Sequence, residues 1–88
     1  MTPFPLKIAT PCGLAYDGQA EALILRATTG DMGFLAGHCD MIAVLGTGRA
    51  AVVFDGKKRC AHCSGGTVFV KNGTVTLLPT HFAWLENK

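Results

Sequence analysis

AAVVFDGKKRCAHCSGGTVFVKNGTVTLL, residues 50–78, alternates short apolar runs with turn dipeptides. Asp55-Gly56 separates Ala50–Phe54 from Lys57–Cys63, and Asn72-Gly73 separates Thr67–Val70 from Thr74–Leu78. Asp-Gly and Asn-Gly are the favoured two-residue hairpin turns because both central positions take positive φ, which Asn, Asp and Gly tolerate. Gly65-Gly66 divides one hairpin from the next. No window here sustains a helical period with caps, so the stretch predicts consecutive hairpins.

The same grammar extends outward. Phe4, Leu6 and Ile8 alternate with Pro5 and Lys7, placing three apolar side chains on one face of an extended segment whose prolines confine it to an edge or a strand start. Thr10-Pro11-Cys12-Gly13 reads as a turn, Leu14–Tyr16 as a strand that stops at Asp17-Gly18, and Ala22–Leu25 as another. A glycine-punctuated loop is expected from Gly30 to His38. Met41–Leu45 and Phe82–Leu85 complete the strand candidates, with Gly46-Thr47-Gly48 and Pro79-Thr80 as separators. About nine or ten short strands with no helical window predict an all-β fold, a flattened β-sandwich or barrel, as one domain over residues 1–88.

Composition bounds the function. Of 88 residues 49% are hydrophobic and 16% charged, against roughly 25% charged in an ordinary domain. Either the core is dense or apolar surface meets a partner. Ala22–Leu25 and Ala50–Phe54 are apolar on both faces, which fits a barrel corner or an outer face covered by another subunit. The net charge of +2 is too slight to imply nucleic acid or an anionic membrane as main partner. Lys57-Lys58-Arg59 follows the Asp-Gly turn and reads as a solvated hairpin tip. The N-terminal residues lack a secretory pattern and no uncharged run is long and apolar enough for a membrane helix, so a soluble chain with reduced thiols is expected.

Constellations that could carry chemistry fail on context. Cys60-Ala61-His62-Cys63 has C-x-x-C spacing, but it lies in a strand, where residues three apart face opposite ways; neither a disulfide nor shared zinc forms there without a bulge. Cys12 and Cys39 supply no second pair at metal spacing. Gly46-Thr47-Gly48-Arg49-Ala50-Ala51 imitates a dinucleotide fingerprint without the helix that must follow. Ser64 has no nucleophile-elbow flanks, and His38, His62 and His81 are scattered, with Asp40 near His38 reading as a surface pair. No catalytic, cofactor-binding or metal-ligating residue is assigned.

Phe4-Pro5-Leu6-Lys7-Ile8-Ala9-Thr10-Pro11, Tyr16-Asp17-Gly18, Gly30-Asp31-Met32-Gly33-Phe34-Leu35-Ala36-Gly37-His38, Leu45, Gly48, Ser64-Gly65-Gly66, Asn72-Gly73 and Val75-Thr76-Leu77-Leu78 together resemble the N-terminal β-sandwich of the epsilon chain of F-type ATP synthases. The order and spacing of Gly30-x-x-Gly33-x-Leu35-x-Gly37-His38 relative to Ser64-Gly65-Gly66 carry most of that resemblance. The sequence departs from the pattern at Ala36, where the family usually has Pro, and at Cys39-Asp40, where it has Ala-Pro.

The resemblance implies a non-catalytic rotor part at the foot of the central stalk, between the gamma subunit and the polar loops of the membrane ring, on the cytoplasmic side of an energy-transducing membrane. It implies a ring-facing loop comprising Gly30, Asp31, Gly33, Gly37 and His38, with Asp31 and His38 as polar contacts. The doubly apolar strand with Val52, Val53 and Phe54 becomes a candidate gamma-facing surface. Typical members continue into a two-helix hairpin, so inhibition of ATP hydrolysis and nucleotide binding by that hairpin are not expected of residues 1–88. Two other readings follow from the residues: a free-standing β-barrel adaptor, and a small zinc or redox protein using Cys60, His62 and Cys63.

Overall fold

The computed structural model describes residues 3–28, 30–35, 37 and 39–85. Ten strands follow in chain order: β1 (Phe4–Thr10), β2 (Gly13–Ala20), β3 (Ala22–Ala27), β4 (Gly30–Phe34), β5 (Met41–Val44), β6 (Thr47–Phe54), β7 (Lys57–Ser64), β8 (Thr67–Lys71), β9 (Thr74–Leu78) and β10 (His81–Trp84). They form two five-stranded sheets, β2-β1-β9-β8-β5 and β10-β7-β6-β3-β4, packed as a sandwich. The all-β sandwich expected from the sequence is the observed fold.

Period-two alternation supplies the core. Phe4, Leu6 and Ile8 of β1, Val68 and Val70 of β8, and Val75 and Leu77 of β9 point inward from the first sheet. They meet Leu23 and Leu25 of β3, Phe34 of β4, Ala50 and Val52 of β6, and Cys63 of β7 from the second. No polar or charged residue is buried among the described residues, so the interior owes its cohesion to apolar burial and close packing.

The hairpin turns take the backbone their residues favour. Asp55 and Gly56 have φ of 52° and 69°, and Asn72 and Gly73 have 52° and 78°. Positive φ at both positions is the geometry whose twist matches the flanking strands. These turns join β6 to β7 and β8 to β9, each pair in unbroken antiparallel register.

Three sequence expectations are corrected. Asp17-Gly18 is not a turn: β2 runs through it, with Lys7 opposite Asp17 and Leu6 opposite Gly18, because the unshifted stretch of ladder with β1, from Phe4 opposite Ala20 to Ile8 opposite Tyr16, outweighs local turn propensity. Gly30–Phe34 is not loop but edge strand β4, held by the pairing of Leu25 with Met32 and Leu23 with Phe34. Phe34 is 0% exposed, and this burial is what draws the segment onto the sheet. Thr47-Gly48 likewise belongs to β6, opposite Ser64 and Cys63.

Two seams tie the sheets of the sandwich together. At one, Leu45 and Gly46 carry the chain from the first sheet to the second; the Leu45 N–H donates to the Gly66 carbonyl at 2.9 Å and the Gly46 N–H to the Arg26 carbonyl at 2.9 Å. At the other, the Trp84 indole N–H of β10 donates to the Ala15 carbonyl of β2 at 3.3 Å, while the Arg59 guanidinium stacks 4.1 Å from the Trp84 ring centroid.

Gly66 is the tightest backbone position. A Cβ there would lie 2.0 Å from the Leu78 carbonyl oxygen, whereas one at Gly56 would meet nothing within 4 Å; both have positive φ, 93° and 69°. Gly66→Ala is therefore expected to cost at least about 3 kcal/mol, because backbone must move, and Gly56→Ala only about 1 kcal/mol of left-handed strain. Chemical denaturation of both variants checks this, and equal losses contradict the close-approach argument.

Candidate functional site

With the core on the inside of both sheets, what remains for a partner is their outer faces, edges and ends. On the first sheet the outer face is apolar at its β5 margin. Ile42 and Val44 are 74% and 59% exposed, and Leu78 is 41% exposed. Cross-strand register groups them, with Ile42 opposite half-buried Phe69, and Val44 in line with Thr67 and Leu78. A groove of about 420 Å³ opens at the start of β5, lined by Asp40, Met41, Ile42, Phe69, Val70 and Lys71. Asp40 anchors its rim by accepting the Asn72 N–H at 3.0 Å.

On the second sheet the outer face carries Gly33, Ile24, Ala51 and Cys60 in one row across four strands. Arg26, Arg49 and Lys58 surround it, and Arg26 pairs with Asp31 at 3.1 Å. This ion pair is exposed on both sides, so it contributes only some tenths of a kcal/mol.

The residues singled out from the sequence now have places. Gly30, Asp31 and Gly33 lie on β4, with Asp31 engaged by Arg26 rather than free; Gly37, at φ 82°, sits in the connection that follows. His38 lies outside the described residues. The strand with Val52, Val53 and Phe54 divides. Val52 is 0% exposed in the core, which corrects its assignment to a partner-facing surface: alternation turns it inward opposite Leu23. Val53 faces outward and half-buried, and Phe54 packs on the core margin with its ring 5.6 Å from that of Tyr16.

Ile42, Val44 and Leu78 were missed as surface residues. The signal was present in Met41-Ile42-Ala43-Val44, which is apolar at every position and so must show an apolar face to the outside wherever it sits in a two-layer fold.

Cys60 and Cys63 fall on opposite faces, Cys63 in the core and Cys60 outside, as their spacing in a strand requires. Among the described residues no three of His, Cys, Asp and Glu gather as a metal site, and no helix is long and apolar enough to cross a membrane. Burial pushes the Cys63 thiol above its ordinary 9.0, and burial together with the Asp55 carboxylate pushes the Tyr16 phenol above 10.0.

Comparison with known proteins gives a consistent result. The family model for the ATP synthase delta/epsilon chain β-sandwich domain matches residues 3–84. An ATP synthase epsilon chain of Caldicellulosiruptor bescii is 31% identical over 86 residues, covering 98% of this chain and 63% of the relative. That of Bacillus subtilis is 38% identical over 73 residues, covering 83% of this chain and 55% of the relative. This chain thus spans less than two thirds of the length of these relatives. Among solved structures, a chain of the Euglena gracilis mitochondrial ATP synthase OSCP/F1/c-ring assembly superposes with a TM-score of 0.88 at 25% identity, covering 96% of this chain and 54% of that one. A chain of the Tetrahymena thermophila central stalk/c-ring shares the fold at a TM-score of 0.79 and 13% identity.

The burial gradient among the thiols sets a reactivity order. In native protein Cys12 and Cys39 are expected to alkylate first, Cys60 next, and Cys63 only on unfolding. A raised acid pKa favours the fold fully below the ordinary value and loses that contribution as pH climbs through the folded one. Stability is therefore expected to fall as pH rises past 9.0, the ordinary thiol value. Timed alkylation with mass readout and a stability–pH series check both, and rapid native labelling of Cys63 contradicts its core placement.

Proposed function

This chain belongs to the ATP synthase delta/epsilon chain β-sandwich family, and from that premise we propose that it works as a non-catalytic central-stalk element of an F-type ATP synthase. It joins the gamma subunit to the membrane ring and helps couple ion flow to ATP synthesis. The observation that carries this reading is the family match over residues 3–84, nearly the whole described domain. The first sheet's outer face supports it, because Ile42, Val44 and Leu78 form the kind of exposed apolar cluster that marks a contact site.

The gamma subunit is assigned to that face. The sequence had pointed to Val52, Val53 and Phe54, but only Val53 turns outward there, and it is already half-covered by its neighbours. The end formed by β4 and the segment after it is assigned to the ring. Asp31 offers a carboxylate steadied by Arg26, and Gly37 permits a tight left-handed bend close to another chain. A sandwich stapled at both seams is a stiff body, which suits a part that transmits torque. Membrane association follows from the complex alone, and no nucleic acid is involved.

Ile42→Glu is expected to abolish co-purification with gamma, while Val53→Asp reduces it less. Asp31→Lys is expected to lower proton-driven ATP synthesis in reconstituted membranes severalfold, with thermal stability changed by no more than about 0.5 kcal/mol, the scale of an exposed pair. If Ile42→Glu assembles normally and Val53→Asp does not, gamma belongs on the second sheet. Wild-type synthesis by Asp31→Lys removes the ring assignment.

A further inference from the structure

We propose that gamma engages this domain by strand addition: a short extended apolar segment of gamma pairs with β5 and extends the first sheet by one strand. The proposal rests on the stalk reading above and adds to it the mode of recognition.

The argument starts from the four sheet edges, β2, β5, β4 and β10. An open edge is a template for pairing with another chain, and folded proteins normally guard it with charge, bulges, proline or a covering group. Three edges here are guarded. β2 has a register shift against β1 at Ile8/Ala9, carries Asp17, and has its Ala15 carbonyl capped by the Trp84 indole. β4 carries Asp31, tied to Arg26. β10 ends in Trp84, which is sandwiched against Arg59 and latched to β2.

Among the described residues β5 has no charge, bulge or proline of this kind, and only its far end is covered, by the Thr28 N–H on the Val44 carbonyl. Met41-Ile42-Ala43-Val44 contains no charge, glycine or proline, and it pairs with β8 without a register shift. Its hydrogen-bonding directions can be read from its end. The Leu45 N–H donates toward the β8 side, to Gly66, while the Val44 carbonyl accepts the Thr28 N–H at 3.1 Å from the other side. Peptide groups alternate in direction along an antiparallel strand, so Ile42, two residues from Val44, turns its N–H and C=O toward the open edge. Thr28 already holds the far end of that edge, so the added segment pairs around Ile42 and is short.

Side chains match this mode. Strand addition draws affinity from main-chain hydrogen bonds and specificity from alternate side chains. Ile42 and Val44 stand on the outer face beside the edge, and the groove between Asp40, Ile42, Phe69 and Lys71 opens where β5 begins, offering an apolar seat for one side chain of the incoming segment. The occupant is thus an extended, uncharged segment with alternate apolar residues.

The test uses this chain and its cognate gamma subunit. On complex formation the Ile42 amide is expected to exchange with solvent at least about 100-fold more slowly than in the free chain. A semisynthetic chain with an ester in place of the Ile42 amide loses that donor, weakens the Met41 carbonyl as an acceptor on the β8 side and keeps the side chain; its affinity for gamma is expected to fall about tenfold, the effect of leaving one buried carbonyl unpaired. A complex that forms with unchanged Ile42 exchange, or an ester chain that binds as tightly as the amide, overturns strand addition and leaves the stalk reading standing. No association of the unmodified chains overturns both.

Discussion

Three chain crossings between the sheets share one corner, and the backbone at Gly65-Gly66 holds them together. The chain passes from β5 to β6 through Leu45-Gly46, from β7 to β8 through Gly65-Gly66, and from β9 to β10 through Pro79-Thr80. The Leu45 N–H donates to Gly66, the Gly65 N–H to Gly46 at 3.3 Å, and the Thr80 N–H to Gly65 at 3.4 Å. Thr47 and Ser64 add a hydroxyl pair at 3.1 Å. A side chain on Gly66 would occupy the position of the Leu78 carbonyl. Without that close approach the crossings could not stack, and the two sheets could not face each other in register.

From this corner the rest follows. Fixing where β6, β8 and β10 begin fixes which residues of each point inward, because a one-residue slip would reverse every side chain. Val68 and Val70 then share one core with Leu23 and Leu25 of the other sheet, while Phe69 turns out beside Ile42. The apolar outer face of the first sheet is thus a by-product of the register that builds the core. Among the described residues only Thr28 covers the edge beside it, at the far end of β5. The far seam, closed by Trp84 on Ala15, keeps the opposite edges from competing for the same kind of partner.

The family assignment and the surface geometry constrain each other. An isolated domain of this size with a 16% charged sequence has little means of hiding Ile42 and Val44 by itself. On the proposed stalk role they need no hiding, since a partner covers them. The cysteines, by contrast, acquire no shared chemistry: Cys63 fills core space behind β7 while Cys60 lies on the other side of the same strand.

The sequence by itself determined the all-β class, the Asp55-Gly56 and Asn72-Gly73 turns, the inward stripe of β1, and the separation of Cys60 from Cys63. Each of these rests on local rules: alternation of period two and residues that tolerate positive φ. Tertiary structure decided what those rules leave open. Ala50–Phe54 and Met41–Val44 are apolar on both faces, so alternation could not say whether Val52 or Val53, Met41 or Ile42, meets the core; pairing with β3 and β8 made the choice. Asp17-Gly18 and Gly30–Phe34 carry turn and loop residues, yet both became strand because a neighbouring ladder and the burial of Phe34 outweighed local preference. Which apolar surface stays exposed is likewise a property of the packed sheets, since it depends on what each strand finds beside it.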